Sequence, residues 1–100
     1  MYVSCCSIKF LLHGNRSLKE KRRIVRSLKD RLKNNFNVSV AEIGDQNLWQ
    51  GLHMGVVAVN SDPKYLEGQT RKLTDAIEKM HLAEITDCQT QISRMSPEPS

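Results

Sequence analysis

Cysteine, proline and aromatic residues are scarce in this 100-residue sequence: three Cys, three Pro, one Trp, two Tyr and two Phe. Three cysteines, two of them adjacent (Cys5 and Cys6) with Cys88 far away, make a poor disulfide framework. Neighbours in a strand point to opposite faces, so Cys5 and Cys6 do not form the chelating pair that a Cys-x-x-Cys spacing gives. They read as small buried thiols in a reducing cytoplasm. No apolar run approaches the roughly 18–20 residues that span a bilayer, and no basic leader precedes the apolar stretch from Met1 to Cys6, so the start does not read as a secretion signal. There is no glycine-rich phosphate loop. The histidines, His13, His53 and His81, lack metal-ligand spacing. Glu42, Asp45 and His53 lie near one connection and are either an acid–base or metal cluster or ordinary polar residues bridging strands and loop. No catalytic, metal or cofactor-binding residue is therefore assigned.

Charge, by contrast, is plentiful and unevenly placed. The formal net charge is +4. Arg16 to Lys33 holds nine basic residues against Glu20 and Asp30, a local net of +7, whereas the rest of the chain nets −3. Such polarisation bears on partners rather than on fold.

Alternation from Tyr2 to His13 predicts a strand with Cys6, Ile8, Phe10 and Leu12 on one face. Gly14-Asn15 makes a turn, and Ser17 with Glu20 forms a capping box for a helix running to about Asn34. A second strand is expected over Phe36 to Gly44 and a third over Leu52 to Asn60. Asp62 and Pro63 then cap and begin a second helix, which carries Leu66, Leu73, Ile77 and Met80 on one stripe. A fourth strand from Ala83 to about Arg94 is expected to turn Thr86, Cys88, Thr90 and Ile92 inward. The order β-α-β-β-α-β implies an α+β, ferredoxin-like sandwich with a four-stranded antiparallel sheet in order 4-1-3-2 and both helices on one face. It would fill a single domain over residues 1–95, with a flexible tail over 96–100.

The first helix is the informative element. At 3.6 residues per turn, Leu18, Ile24, Val25, Leu28 and Leu32 gather on one arc that must face the sheet. Lys19, Arg22, Arg23, Arg26, Lys29 and Lys33 gather on the opposite arc. Like charges spaced four apart cost a few tenths of a kcal/mol per pair, and a polyanion would relieve them by displacing counterions. The second helix is charge-balanced, so solubility alone does not require the difference. A nucleic-acid or ribosomal contact is the favoured reading, and a solvated face or an acidic protein partner are its alternatives. Lys21 is the exception, since its angle places it in the apolar arc. It either runs its stem along the core edge while its ammonium reaches water or a carboxylate, or marks a small anion site at the helix N-terminus.

Trp49, the sole tryptophan, lies beside Leu48 in the connection between the second and third strands. It either folds over the core edge or projects as an interface anchor. The sheet face away from the helices is expected to carry Val3, Cys5, Leu11, Ala41, Ile43, Val57 and Val59, an apolar patch that two-fold pairing would bury. Leu48, Trp49, Val57 and Val59 are thus the expected homodimer interface. Aromatics are missing from the outward positions of the central strands, which disfavours RNA contact through the sheet.

Ser17-Leu18-Lys19-Glu20-Lys21-Arg22-Arg23, Leu28-Lys29-Asp30-Arg31-Leu32, Phe36 to Glu42 and Leu48-Trp49-Gln50, in that order, resemble the YlxP-like family of small bacterial proteins. The resemblance runs from about Tyr2 to Ile92, although the family often has a glycine early in the first strand, where this chain has Ser4-Cys5-Cys6. It implies a ferredoxin-like fold, a cytoplasmic protein and, from the family's gene neighbours in translation, a ribosome-linked role. It supplies no catalytic residues.

Overall fold

A computed structural model describes residues 1–96, so most of the expected tail lies outside the described residues. The chain runs β1 (Tyr2–Leu11), α1 (Leu18–Asn35), β2 (Ser39–Gly44), β3 (Gly51–Asn60), α2 (Pro63–Met80) and β4 (Glu84–Arg94). The strands form one sheet in the order β2-β3-β1-β4, with every neighbouring pair antiparallel. This is the expected ferredoxin-like sandwich.

Period-2 alternation builds the inner face. Cys6, Ile8 and Phe10 of β1, Val40 of β2, and Leu52, Met54 and Val56 of β3 are buried in one cluster with Leu28 and Leu32 of α1 and Leu73 and Ile77 of α2. Both helices therefore cover the same face. No helix among the described residues is long and apolar enough to cross a membrane.

The helix ends are set by local chemistry. Ser17 Oγ accepts a hydrogen bond from the Glu20 amide at 3.1 Å, while the Glu20 carboxylate accepts from the Arg16 amide at 3.4 Å. The reciprocal half of the expected capping box is thus displaced by one residue. Asp62 accepts from the Lys64 amide at 2.9 Å, and Pro63 occupies the first turn of α2, where its missing N–H leaves no bond unmade. Phe36 does not begin β2. Its amide donates to the Leu32 carbonyl at 2.9 Å and its carbonyl accepts from the Val38 amide at 3.0 Å, so the strand starts three residues later than alternation predicts. Phe36 and Val38 still pack against the core.

One correction concerns β4. Its register on β1 slips between Lys9 and Phe10, so that Asp87 faces Lys9 but Ile85 faces Phe10. The bulge turns Ile85, not Thr86, toward the core.

Gly68, in the middle of α2, is unusual because an added Cβ would meet nothing within 4 Å. An interior helical glycine costs roughly 0.5–1 kcal/mol relative to alanine, and here no close packing requires it. Gly68→Ala is expected to raise the unfolding free energy by that amount in urea denaturation. Destabilisation would mean that the position packs against something after all.

Candidate functional site

Three features stand out on this frame, and the first is the cationic face of α1. Lys19, Arg22, Arg23, Arg26 and Lys33 are exposed, and Lys29 is half-buried, so it faces water less fully than its helical angle predicts. Among the described residues the ion pairs are His13–Glu84 and Lys21–Glu42. None of the six cations thus has a carboxylate partner among the described residues. Their side chains share one sign and one helix face, and all but Lys29 are open to solvent.

The second feature is Lys21, which is 3% exposed. Its ammonium donates to the Leu48 carbonyl at 2.7 Å and to the Asp45 carbonyl. Glu42 Oε2 lies 3.4 Å away as an electrostatic partner without a directed hydrogen bond. Of the outcomes expected for it, the ammonium thus meets a carboxylate, not water, and it is occupied by the protein's own acceptors. It ties α1 to the β2–β3 connection. Asn15, also buried, donates from its amide to the carbonyls of Ser17 and Trp49, and the Leu12 amide donates to the Gln50 carbonyl at 2.8 Å. Backbone carbonyls across the connection are thereby held from beneath, and its side chains are left to point outward.

The third feature is what that arrangement presents. Leu48 and Trp49 are each 55% exposed, so Trp49 is not a lid on the core. Together with Leu11, Gly51 and Thr86 they border a shallow depression of about 470 Å³. The outer sheet face continues the apolar surface through exposed Ala41, Ile43, Val57 and Val59 and exposed Cys5. Gly55 makes room there for Ile43, whose Cγ2 lies 3.2 Å from where a Cβ would stand. Lys9 and Asp87, which are register partners on β1 and β4, give this face one charge of each sign.

The residues near the β2–β3 connection do not assemble as a cluster. Glu42 turns inward to Lys21, whereas His53 lies on the outer face with Nε2 2.7 Å from Ser7 Oγ. The sequence reading missed this serine–histidine contact, because it depends on the β1–β3 register. No carboxylate among the described residues accepts from the other ring nitrogen, the orienting role that a nucleophile–base pair needs. Cys88 is exposed rather than the buried thiol expected, yet partial desolvation, helped by the neighbouring Cys6 sulfur, pushes its thiol above the ordinary range, which disfavours the thiolate. Among the described residues no group of three or more His, Cys, Asp or Glu side chains is gathered as metal ligands would be.

Comparison with known proteins agrees with the fold. The profile of a family described as "Protein of unknown function (DUF503)" matches residues 3–90. The uncharacterised protein YlxP of Bacillus subtilis (strain 168) is 33% identical over 81 residues, which span 81% of this chain and 88% of that protein. Among solved structures, the de novo designed protein Foldit4 superposes with a TM-score of 0.54 at 12% identity, covering 96% of this chain and 100% of that one. The cofactor-independent oxygenase SnoaB of Streptomyces nogalater gives 0.51 at 12% identity, covering 97% and 98%. At such identities the structural likenesses speak to the fold alone.

Proposed function

The chain belongs to the DUF503 family of proteins of unknown function, and from that premise we propose that it is a cytoplasmic, non-catalytic factor that binds structured RNA, within a ribosomal or pre-ribosomal particle, through the cationic face of α1. The observation that carries this reading is the set of six cations without carboxylate partners among the described residues, on a helix whose only inward lysine is consumed by the fold. Cations left unpaired in this way retain condensed-phase repulsion that phosphates relieve, and phosphate contact supplies affinity without demanding a base sequence.

Co-sedimentation with ribosomal subunits tests it. Wild-type protein is expected in the pellet at low salt, and the variant carrying Arg22→Glu, Arg26→Glu and Lys33→Glu in the supernatant. These three side chains are exposed, so the fold should survive, as circular dichroism would register. Wild-type protein remaining in the supernatant would remove the ribosomal reading. Equal pelleting of both would move the contact away from α1.

A second reading, compatible with the first, is a homodimer formed through the outer sheet face. Val57 and Val59 are 39% and 53% exposed there, beside exposed Ile43. At about 3.3 Å per residue and 4.8 Å between strands, the face offers on the order of 600 Å² per copy, so two copies reach the lower end of the ~1,200–2,000 Å² of stable interfaces before Leu48 and Trp49 are added. It carries one charge of each sign, Lys9 and Asp87, and so no net charge against an identical copy. Sedimentation at micromolar concentration is expected to give twice 11.4 kDa, and Val57→Lys to return the single-chain mass. A wild-type monomer would count against the pairing.

A further inference from the structure

A pocket of about 370 Å³ lies where the C-terminal end of α1 meets the first half of α2. Its α1 side is formed by Phe36 and Asn37, and its α2 side by the stripe Tyr65, Gly68, Gln69 and Lys72. We infer that this pocket receives an unpaired nucleotide of the RNA held along α1, an inference that rests on the RNA reading and names a specific ligand for its far end.

The lining is what such a ligand needs. It includes Lys64 and Lys72 and no carboxylate, and neither lysine has an ion-pair partner among the described residues. Tyr65, 55% exposed, offers a ring face on which a base can stack, and stacking is how unpaired bases are held without helical readout. Gln69 is 9% exposed yet enters no side-chain hydrogen bond among the described residues, so its amide is left for the edge of a base. Asn37 adds a second amide at the opposite wall. Gly68 keeps the floor clear, since no atom lies within 4 Å of where its Cβ would stand. The helical cost of that glycine has no packing counterpart, and an occupied pocket supplies the reason for it. The position also suits the backbone path: a strand whose phosphates follow the α1 cations toward Lys33 arrives at Asn35-Phe36-Asn37, where the helix ends.

The test is an amide chemical-shift titration with adenosine 5′-monophosphate, with adenosine and inorganic phosphate as separate arms. Saturable shifts at Gly68, Gln69 and Asn37 are expected with the mononucleotide, smaller ones with either fragment, and none in Gly68→Leu, whose side chain fills the open floor. Lys72→Glu is the second variant should Gly68→Leu fail to fold. A hairpin RNA with one unpaired adenosine should move the same amides at lower concentration than the free mononucleotide, and its fully paired counterpart should not. Unmoved amides, undiminished shifts in both variants, or a response to free mononucleotide but not to the bulged hairpin would each overturn the inference. Because the mononucleotide arm needs no ribosome, its failure is separable from failure of the RNA reading, which co-sedimentation tests.

Discussion

Replacing Lys21 by methionine is expected to lower the unfolding free energy by about 3 kcal/mol or more, a large share of the total for a domain of this size. The stem keeps its volume in methionine, so little packing is lost. What disappears is the ammonium that faces the Asp45 and Leu48 carbonyls and the Glu42 carboxylate. Removing one member of a buried pair costs roughly 3–5 kcal/mol because the remaining charge is uncompensated, and the Leu48 carbonyl, left without its side-chain donor, adds up to about 1–3 kcal/mol, whereas the Asp45 carbonyl still accepts from the Leu48 amide at 3.1 Å. Glu42 keeps 24% of its side chain exposed, which moderates its share. The double variant Lys21→Met, Glu42→Leu separates the two contributions. It should recover the carboxylate part only, since both carbonyls remain without the ammonium, and so fall between wild type and the single variant. Urea denaturation checks both, and amide exchange at Leu48 to Gln50 should quicken in each as the connection loosens. A loss within about 0.5 kcal/mol, the ordinary range for a surface change, would show that the ammonium is not what holds the connection.

That interaction also marks where sequence reasoning reached and where it stopped. The angle of Lys21 within the apolar arc was readable from helical periodicity, so its unusual position was legible. Its partners were not, because they belong to a connection more than 20 residues away whose backbone direction depends on a left-handed Asp45, φ 60°. The same division holds elsewhere. Ser17 and Asp62 announced their helices through local capping chemistry, and the strand order followed from the alternation of element types. The inward turn of Glu42 was available from its parity with Val40, and was obscured by grouping it with residues near it in the chain. Ser7 and His53 meet only because β1 and β3 pair with Lys9 opposite His53, a register no single strand encodes. Ile85 and Thr86 are both good strand residues, so strict alternation chose Thr86 for the core. The bulge, which answers to the strand pairing across the sheet, chose Ile85. The α1–α2 pocket was invisible for the same reason: its two walls are separated by some 30 residues, and only the packed helices bring Asn37 to Gly68.

The RNA reading carries the other large expected effect, and salt is the variable that exposes it. If all six cations of α1 contact phosphates, raising monovalent salt from 50 to 200 mM should weaken binding by about three orders of magnitude, because each contact releases a condensed counterion. Reversing Arg22, Arg26 and Lys33 removes three contacts and adds three repulsive charges. The slope of log affinity against log salt should become shallower by about 2–3 units, and binding at the higher salt should disappear. Lys29 is left in place because it is half-buried, so that its substitution would mix a stability effect into the binding readout. Paired RNAs of unrelated sequence should bind with similar affinity, since phosphates carry no base identity. Filter binding across a salt series measures all three quantities. A wild-type slope near zero would remove phosphate contact altogether, and an unchanged slope in the triple variant would take α1 out of the interface. Retention of the wild-type slope by Val57→Lys, on the opposite side of the sheet, would separate the RNA surface from the self-association surface, as the geometry requires if the cations face outward on both copies of a pair.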